Sequence, residues 1–215
     1  MEGSMKISTI DKAVKRGCDD LGNALSHYWP GKERNGKILG NEMSERNISF
    51  YVARSLSATE FYIFMEPSFN SSNPTGDRSL DFLAVHQKHK CVIAAEAKRL
   101  YSSQMAGAIV ADFIRIERFN IAWSDVYRLP NKPTHGLILA TTWQENIAEW
   151  WIDPKKQVPS SKMAIENWRE LRSKLARRRV GREKLQCDAS LPDGWKQHYA
   201  LYAIFGLGHD SGHLE

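Results

Sequence analysis

Three charged residues, Asp81, Glu96 and Lys98, stand in two neighbouring apolar segments of the 215-residue chain. The segments, residues 80–86 and 91–98, are rich in aliphatic and β-branched residues and predict two β-strands. Two carboxylates can hold a hard divalent cation such as Mg²⁺. A lysine beside such a cation can orient a water molecule or help to deprotonate it. This combination of residue types suits in-line attack on a phosphodiester.

The connection between the two predicted strands decides whether these side chains can meet. Residues 87–90 are polar, and a turn of two or four residues centred on them pairs Asp81 with Glu96. The two Cβ atoms would then lie about 4.5–5.5 Å apart on one face of the sheet. Lys98 shares that face because it stands two residues after Glu96. A turn of odd length would instead place Asp81 opposite one of the alanines that flank Glu96.

Two interpretations of this hairpin are open. In the first, the carboxylates of Asp81 and Glu96 repel each other, and a divalent cation offsets the repulsion. In the second, the hairpin lies on the surface and Glu96 merely pairs with Lys98 in solvent. The apolar run at residues 92–97 is typical of a central strand, where unpaired charges are unfavourable. The first interpretation is therefore favoured.

The segment resembles the PD-(D/E)xK nuclease superfamily, which includes many restriction enzymes and DNA repair or recombination nucleases. The shared pattern is an acidic residue on one strand and Glu/Asp-x-Lys on the next, here Asp81 and Glu96-Ala97-Lys98. Leu80 stands where the family often has proline. The resemblance covers about residues 41–143 and implies a restriction-endonuclease-like α/β fold. It also implies hydrolysis of nucleic acid phosphodiesters with Mg²⁺ or Mn²⁺, DNA being favoured over RNA.

The resemblance also implies a role for each residue of the motif. Asp81 and Glu96 would hold the metal, with the backbone carbonyl of Ala97 as an additional ligand. Lys98 would position or activate the attacking water. Because many such nucleases dimerise to cut both strands, a homodimer is an open expectation.

Two neighbouring helices offer further candidates for the site. The family pattern implies a glutamate on the helix before the strands, and Glu42 is favoured to complete the metal shell. Glu45 is the alternative, since it lies one turn before the apolar stripe of that helix. Gln104, early on the helix after the strands, resembles a position that some family members use near the metal or nucleic acid.

The remaining elements follow from apolar periodicity and from capping residues. Helices are predicted at residues 9–28, 42–56 (capped by Asn41), 102–122 (capped by Ser102 or Ser103), 146–152 and 161–180, and further strands at 61–65, 136–142 and 199–205. The strands linked by short hairpins favour a mixed α/β sheet over a Rossmann-type parallel sheet.

The whole chain fits one domain, with a nuclease-like core at residues 41–143. An N-terminal helix and basic loop (1–40) and C-terminal helices with a last strand (144–215) would flank it. No apolar run is long enough to predict a membrane helix, and the polar, charged first twenty residues predict no signal peptide. The three cysteines are far apart, which favours a reducing compartment, and the expected location is the cytoplasm. The chain contains no P-loop and no Gly-x-Ser-x-Gly motif.

The net charge of +5 is compatible with a polyanionic partner, and the basic excess is concentrated in residues 169–184. Four arginines of this segment are candidates for binding nucleic acid phosphates: Arg177, Arg178, Arg179 and Arg182. The run Arg177–Arg179 could equally form the solvated end of a helix, where cations are favoured by the helix dipole. A non-catalytic nucleic-acid-binding or protein-interaction protein that retains the nuclease fold is the alternative function.

Overall fold

A mixed six-stranded β-sheet with helices on both faces forms the centre of the protein. The computed structural model describes residues 5–27, 32–34, 37–39, 44–67, 79–121, 129–153, 155–157, 165–185 and 197–207. The sheet has the strand order β3-β4-β5-β6-β8-β7. All neighbouring strands run antiparallel except β5 and β6, which are parallel. The predicted mixed α/β class is therefore confirmed.

Two helices and a small hairpin precede the sheet. They are α1 (Ile7–His27), the paired strands β1 (Lys32–Arg34) and β2 (Lys37–Leu39), and α2 (Glu45–Ser57). The hairpin falls in a segment predicted as a loop. Helix α2 begins later than predicted because Ser44 caps it, its side chain accepting a hydrogen bond from the Arg46 amide. Asn41 and Glu42 lie outside the described residues.

The middle of the chain supplies the central strands. It contains β3 (Tyr62–Met65), β4 (Phe82–His86), β5 (Cys91–Arg99), α3 (Ser103–Arg118) and β6 (His135–Thr142). Strands β4, β5 and β6 are buried almost throughout, as their continuous apolar sequences predict. Helix α3 starts at the predicted cap, where the Ser102 side chain accepts a hydrogen bond from the Met105 amide.

The last part of the chain completes the sheet with α4 (Glu145–Ile152), α5 (Ile165–Leu175), β7 (Arg179–Leu185) and β8 (His198–Gly206). Strand β8 confirms the predicted last strand. The prediction of a helix to residue 180 was wrong, since α5 ends at Leu175 and Arg177 takes a left-handed conformation with φ 62°. Strand β7 was not predicted because an edge strand, half exposed and highly charged, lacks apolar alternation.

Two hydrophobic cores lie on opposite faces of the sheet. The first packs α3, α4 and α5 on residues such as Ala94 and Ile138, and it contains Trp150, Trp151 and Trp168. The second packs α1 and α2 on the other face. Along each central strand, alternate residues enter one core or the other. The core to which a residue belongs therefore identifies the face on which its strand neighbours lie.

Aromatic rings cover two glycines within the sheet. Gly136 lies opposite Phe205, and Gly181 lies opposite Tyr202. A Cβ atom at Gly181 would stand 2.0 Å from Cζ of Tyr202, so the ring needs a residue without a side chain beneath it. The Tyr202 hydroxyl crosses this glycine and donates a hydrogen bond of 2.9 Å to Oδ1 of Asp11 on α1.

No helix among the described residues is long and apolar enough to cross a membrane. Cys18 and Cys91 are buried free thiols, and Cys187 lies outside the described residues.

Candidate active site between β5 and α3

The register of the β4–β5 hairpin is the one predicted. A four-residue turn joins the strands, and Phe82 pairs with Ala95. Asp81 stands in a bend just before β4, and its amide donates a 3.2 Å hydrogen bond to the Ala95 carbonyl. Its carboxylate oxygen Oδ2 accepts a 2.5 Å hydrogen bond from the Ala97 amide. Asp81 is thus fixed to the strand that carries the Glu-x-Lys motif.

Glu96 and Lys98 lie on the face of the sheet that α3 covers. They pair with Ile138 and Ala140 of β6, both of which belong to the core under α3. Asp81 and Glu96 are close enough for each charge to matter to the other, since Asp81 contributes to raising the pKa of Glu96. The structure therefore brings Asp81, Glu96 and Lys98 together.

Two residues of α3 complete this group, and the sequence interpretation missed both. Arg115 bridges two carboxylates, donating from Nη1 to Glu96 and from Nη2 to Asp112. Lys98 Nζ lies 3.6 Å from Oδ2 of Asp112. We call Asp81, Glu96, Lys98, Asp112 and Arg115 the carboxylate cluster. The only sequence signal for the two helix residues was their i, i+3 spacing beside the apolar stripe of α3, which any exposed helix pair would share.

Burial makes the charged forms of these carboxylates unfavourable. It is the main reason why the pKa of Glu96 is raised to about 8, and the neighbouring Asp112 adds to the effect while Arg115 opposes it. Burial likewise raises the pKa of Asp81, against the hydrogen bond from the Ala97 amide. The pKa of Asp112 is also raised by burial, against Lys98 and Arg115.

The cluster contains positively charged side chains, and these offset part of the carboxylate repulsion that a metal was expected to offset. From the sequence, the mutual repulsion of Asp81 and Glu96 favoured a divalent cation as the group that offsets it. In the structure, Lys98 and Arg115 already contact the carboxylates. Three carboxyl groups still face two cations. Oδ2 of Asp112 is buried, and Lys98 Nζ at 3.6 Å is an ion-pair partner beyond hydrogen-bond distance. With all three carboxyl groups ionised, an excess of one negative charge remains.

Glu45 reaches the edge of the cluster from the other side of the sheet. It is the first residue of α2, and its Oε1 accepts a 2.9 Å hydrogen bond from the Arg99 amide at the end of β5. Its charge also contributes to the raised pKa of Asp81. Gln104 is exposed in the first turn of α3, roughly 12 Å along the helix from Asp112. Glu42 lies outside the described residues.

The part of the chain that the structure describes contains no group of three His, Cys, Asp or Glu side chains arranged to hold a metal ion. The hydrogen bonds from the Ala97 amide and from Arg115 use Oδ2 of Asp81 and Oε1 of Glu96. The second carboxylate oxygen of Asp81 and that of Glu96 take no part in these two hydrogen bonds. Carboxylate oxygens are the ligand type that hard cations prefer.

The arginines predicted to bind nucleic acid do not join the cluster. Strand β7 is separated from β5 by β6 and β8. Arg178 packs its guanidinium 4.3 Å from the ring centres of both Phe113 and Phe205, and it donates to Glu117. Arg179 is paired with Asp11, at 3.0 Å. The guanidinium of Arg182 lies 5.9 Å from the Tyr199 ring centre, and Arg177 is exposed. The predicted helix end is thus a turn followed by strand β7, and some of its arginines serve to hold the fold together.

A cysteine and a histidine also meet, at the opposite end of β5. Sγ of Cys91 lies 3.5 Å from Nδ1 of His135, and both side chains are buried. Burial raises the pKa of the Cys91 thiol to about 11 and lowers the pKa of His135. A protonated, inaccessible thiol is a poor nucleophile, so this pair is a packing feature.

Comparisons of the chain with protein-family models, with curated proteins and with solved structures each gave no match.

Proposed function

We propose that the protein is a nuclease that hydrolyses nucleic acid phosphodiester bonds with Mg²⁺ or Mn²⁺, DNA being favoured over RNA. One observation carries the proposal. Asp81 stands just before β4, and Glu96 and Lys98 stand on the adjacent strand β5. The Asp81 carboxylate accepts a hydrogen bond from the amide of Ala97, which lies between the other two. A chance Asp…Glu-x-Lys pattern has no reason to converge in this way at a buried site.

The order of elements supports the same proposal. Helix α2 is followed by the antiparallel strands β3, β4 and β5, then by α3 and by β6, which is parallel to β5. This is the order that the resemblance to PD-(D/E)xK nucleases implies. We therefore propose a restriction-endonuclease-like core within the mixed sheet.

The acidic residues suit a magnesium-type cation. Such a cation keeps several waters and is commonly bound through only one or two carboxylates. We assign Asp81 and Glu96 to it, with the Ala97 carbonyl as an additional ligand. Glu45 of α2 is our candidate for the helix-borne acid, because it contacts the end of β5 at the edge of the cluster. Glu42 stays a candidate from the sequence. When bound, the cation supplies Lewis-acid stabilisation of the phosphate and a more acidic water.

We assign to Lys98 the orientation of the attacking water and of the phosphate. Its ammonium is partly exposed while Asp112 holds it from behind, at 3.6 Å. From there it donates to the attacking water or to a phosphate oxygen, which orients the reactants. Arg115 holds Glu96 in place, so that the motif is fixed by helix α3 as well as by the sheet.

The second candidate is a non-catalytic nucleic-acid-binding or protein-interaction protein with the same fold. The observation that favours it is that Arg115 bridges Glu96 and Asp112. Because the arginine already neutralises part of the negative charge of these carboxylates, the fold is stable with less contribution from a bound metal. The two candidates differ in whether a divalent cation binds at Asp81 and Glu96.

The test is cleavage of supercoiled plasmid, linear duplex, single-stranded DNA and RNA with Mg²⁺ or Mn²⁺. Lys98→Ala is compared with wild type and with Lys88→Ala, which alters an exposed lysine of the hairpin turn. We expect cation-dependent cleavage that falls about 100-fold or more in Lys98→Ala and is unchanged in Lys88→Ala. Absence of cleavage, together with absence of Mn²⁺ binding in calorimetry, would establish the non-catalytic candidate.

A further inference from the structure

Arg115 is a cation of the chain itself that lies on one of the two carboxylates assigned to the divalent cation. Its Nη1 donates to Glu96 and its Nη2 donates to Asp112, so that one guanidinium bridges two carboxyl groups. The side chains of Glu96 and Asp112 are 2% and 1% exposed. A guanidinium stays charged at any physiological pH. Glu96 is therefore held against a permanent positive charge inside the protein.

A divalent cation on Glu96 and the guanidinium of Arg115 would repel each other. Both are positive, and a single carboxyl group would hold both, whichever of its oxygens each one used. Charges interact more strongly at a buried site than in water, because less solvent screens them. The contact that fixes Glu96 therefore also opposes the cation, which must act against Arg115 or displace it.

Asp112 offers the arginine a second position. It stands three residues before Arg115 on α3 and accepts from Nη2 through Oδ1. Its other oxygen, Oδ2, has Lys98 Nζ as an ion-pair partner at 3.6 Å, which is beyond hydrogen-bond distance. The forked guanidinium can bind both oxygens of one carboxylate. An arginine released from Glu96 can thus pair with Asp112 alone and keep a counter-charge.

We propose that Arg115 and the divalent cation compete for Glu96, and that Asp112 keeps the arginine when the cation binds. The inference rests on the proposed nuclease function and specifies how its site is regulated. The competition lowers the affinity for the cation, so that the site fills only at a higher cation concentration. At a lower concentration, the arginine takes the place of the cation in stabilising Glu96.

Calorimetric titration of the full chain with Mn²⁺, in the absence of nucleic acid, measures the competition. Arg115→Gln removes the charge and keeps an N–H donor for Glu96. Arg118→Gln removes the same charge from an exposed position in the last turn of α3 and is the matched control. We expect Mn²⁺ to bind at least about tenfold more tightly to Arg115→Gln than to wild type, and the affinity of the control to change less than about twofold.

Further variants separate the charge of Arg115 from its shape and test the role of Asp112. Arg115→Lys keeps the charge without the fork, so its Mn²⁺ affinity should stay within about threefold of wild type. Asp112→Asn should weaken Mn²⁺ binding, because a displaced arginine loses its second carboxylate. The same change should have a much smaller effect in the Arg115→Gln background, where no arginine is displaced. Circular dichroism verifies that each variant is folded.

Several results would overturn the competition. Equal or weaker Mn²⁺ binding by Arg115→Gln would show that the arginine only positions Glu96. An effect of Asp112→Asn that is the same with and without Arg115 would show that Asp112 acts on the cation directly. An unchanged affinity in Asp112→Asn would remove the second position, even if Arg115→Gln did not fold.

Absence of Mn²⁺ binding by both wild type and Arg115→Gln would also overturn the proposal, whereas binding by Arg115→Gln alone would support it. Failure of the nuclease function is a separate result, because it appears as an uncleaved substrate whatever the calorimetry shows.

Discussion

At the scale of single residues, Glu96 occupies an unfavourable position for a charge. Its side chain is 2% exposed, and burial and Asp112 raise its pKa from 4.5 to about 8. A carboxyl group with a raised pKa holds its proton more tightly in the folded protein than in the unfolded chain. Its contribution to stability is therefore fully present below pH 4.5 and is lost as the pH rises through 8.

The change Glu96→Gln tests this assignment. In EDTA, the free energy of unfolding of wild type should fall between about pH 5 and pH 8.5 relative to that of the variant, by on the order of 2 kcal/mol. Urea unfolding at a series of pH values measures the difference. Glu166→Gln, at a highly exposed position, serves as the control and should follow wild type. Parallel stability curves for Glu96→Gln and wild type would show that Glu96 is fully ionised in its pair with Arg115.

The residues of the site divide according to what the sequence can reveal. Asp81, Glu96 and Lys98 could be placed together because one short hairpin fixes their register, and a local turn has few solutions. Asp112 and Arg115 could not, since they reach the cluster only through the packing of α3 on the sheet. That packing depends on the whole core rather than on any nearby pattern.

At the scale of elements, α1 is joined to the far edge of the sheet through one carboxylate. Asp11 accepts hydrogen bonds from Arg179 of β7 and Tyr202 of β8, at 3.0 and 2.9 Å. Burial by itself would raise the pKa of Asp11. The hydrogen bonds from Arg179 and Tyr202 outweigh burial, so the pKa lies below its ordinary value of 3.8.

Loss of this junction should be measurable as stability. We expect Asp11→Asn to reduce the free energy of unfolding by about 1–3 kcal/mol at neutral pH, because a buried hydroxyl and a guanidinium lose a charged acceptor. A depressed pKa gives stability that is present above pH 3.8 and is lost as the pH falls through the folded value. The difference between wild type and variant should therefore shrink below pH 3.8.

Urea unfolding at about pH 7 and pH 3 provides the measurement. Asp19→Asn, an exposed position on the same helix, is the control and should change stability by less than about 0.5 kcal/mol. An equal loss in the two variants would mean that helix charge, rather than the junction to β7 and β8, is responsible.

The more apolar helices and strands were the easier ones to predict from the sequence. The buried strands β4, β5, β6 and β8 were found from sequence, since their composition alone requires burial. Strand β7 was not found, and its first two residues, Arg179 and Val180, were assigned to the end of a helix. The stability of this strand comes from pairing with β8 and not from its own residues. The start of α2 was misplaced by three residues, since Ser44 and Asn41 are both acceptable caps in sequence.

At the scale of the whole molecule, cation binding and folding should be linked. A cation that binds only the folded chain raises its stability, by about 2.7 kcal/mol at a concentration of 100 times Kd. We expect Mn²⁺ to raise the unfolding temperature of wild type and EDTA to restore the original value. Asp81→Asn should show little of this rise, because the amide removes one of the two assigned carboxylates.

Thermal melts followed by circular dichroism measure the rise. Asp153→Asn changes an aspartate after α4, remote from the cluster, and should be stabilised by Mn²⁺ as wild type is. An equal rise in Asp81→Asn and wild type would locate the cation elsewhere, and no rise in wild type would favour the non-catalytic candidate.

The glycine beneath Tyr202 has a consequence for the way this protein can change over generations. Gly181 leaves room for the ring, and the ring carries the hydroxyl that meets Asp11. A side chain cannot appear at Gly181 while the tyrosine remains, yet a smaller residue at Tyr202 removes one of the hydrogen bonds to Asp11 on α1. Among descendants of this chain, the three positions should therefore be inherited as a set. Where they do differ, the tyrosine must have been replaced before the glycine.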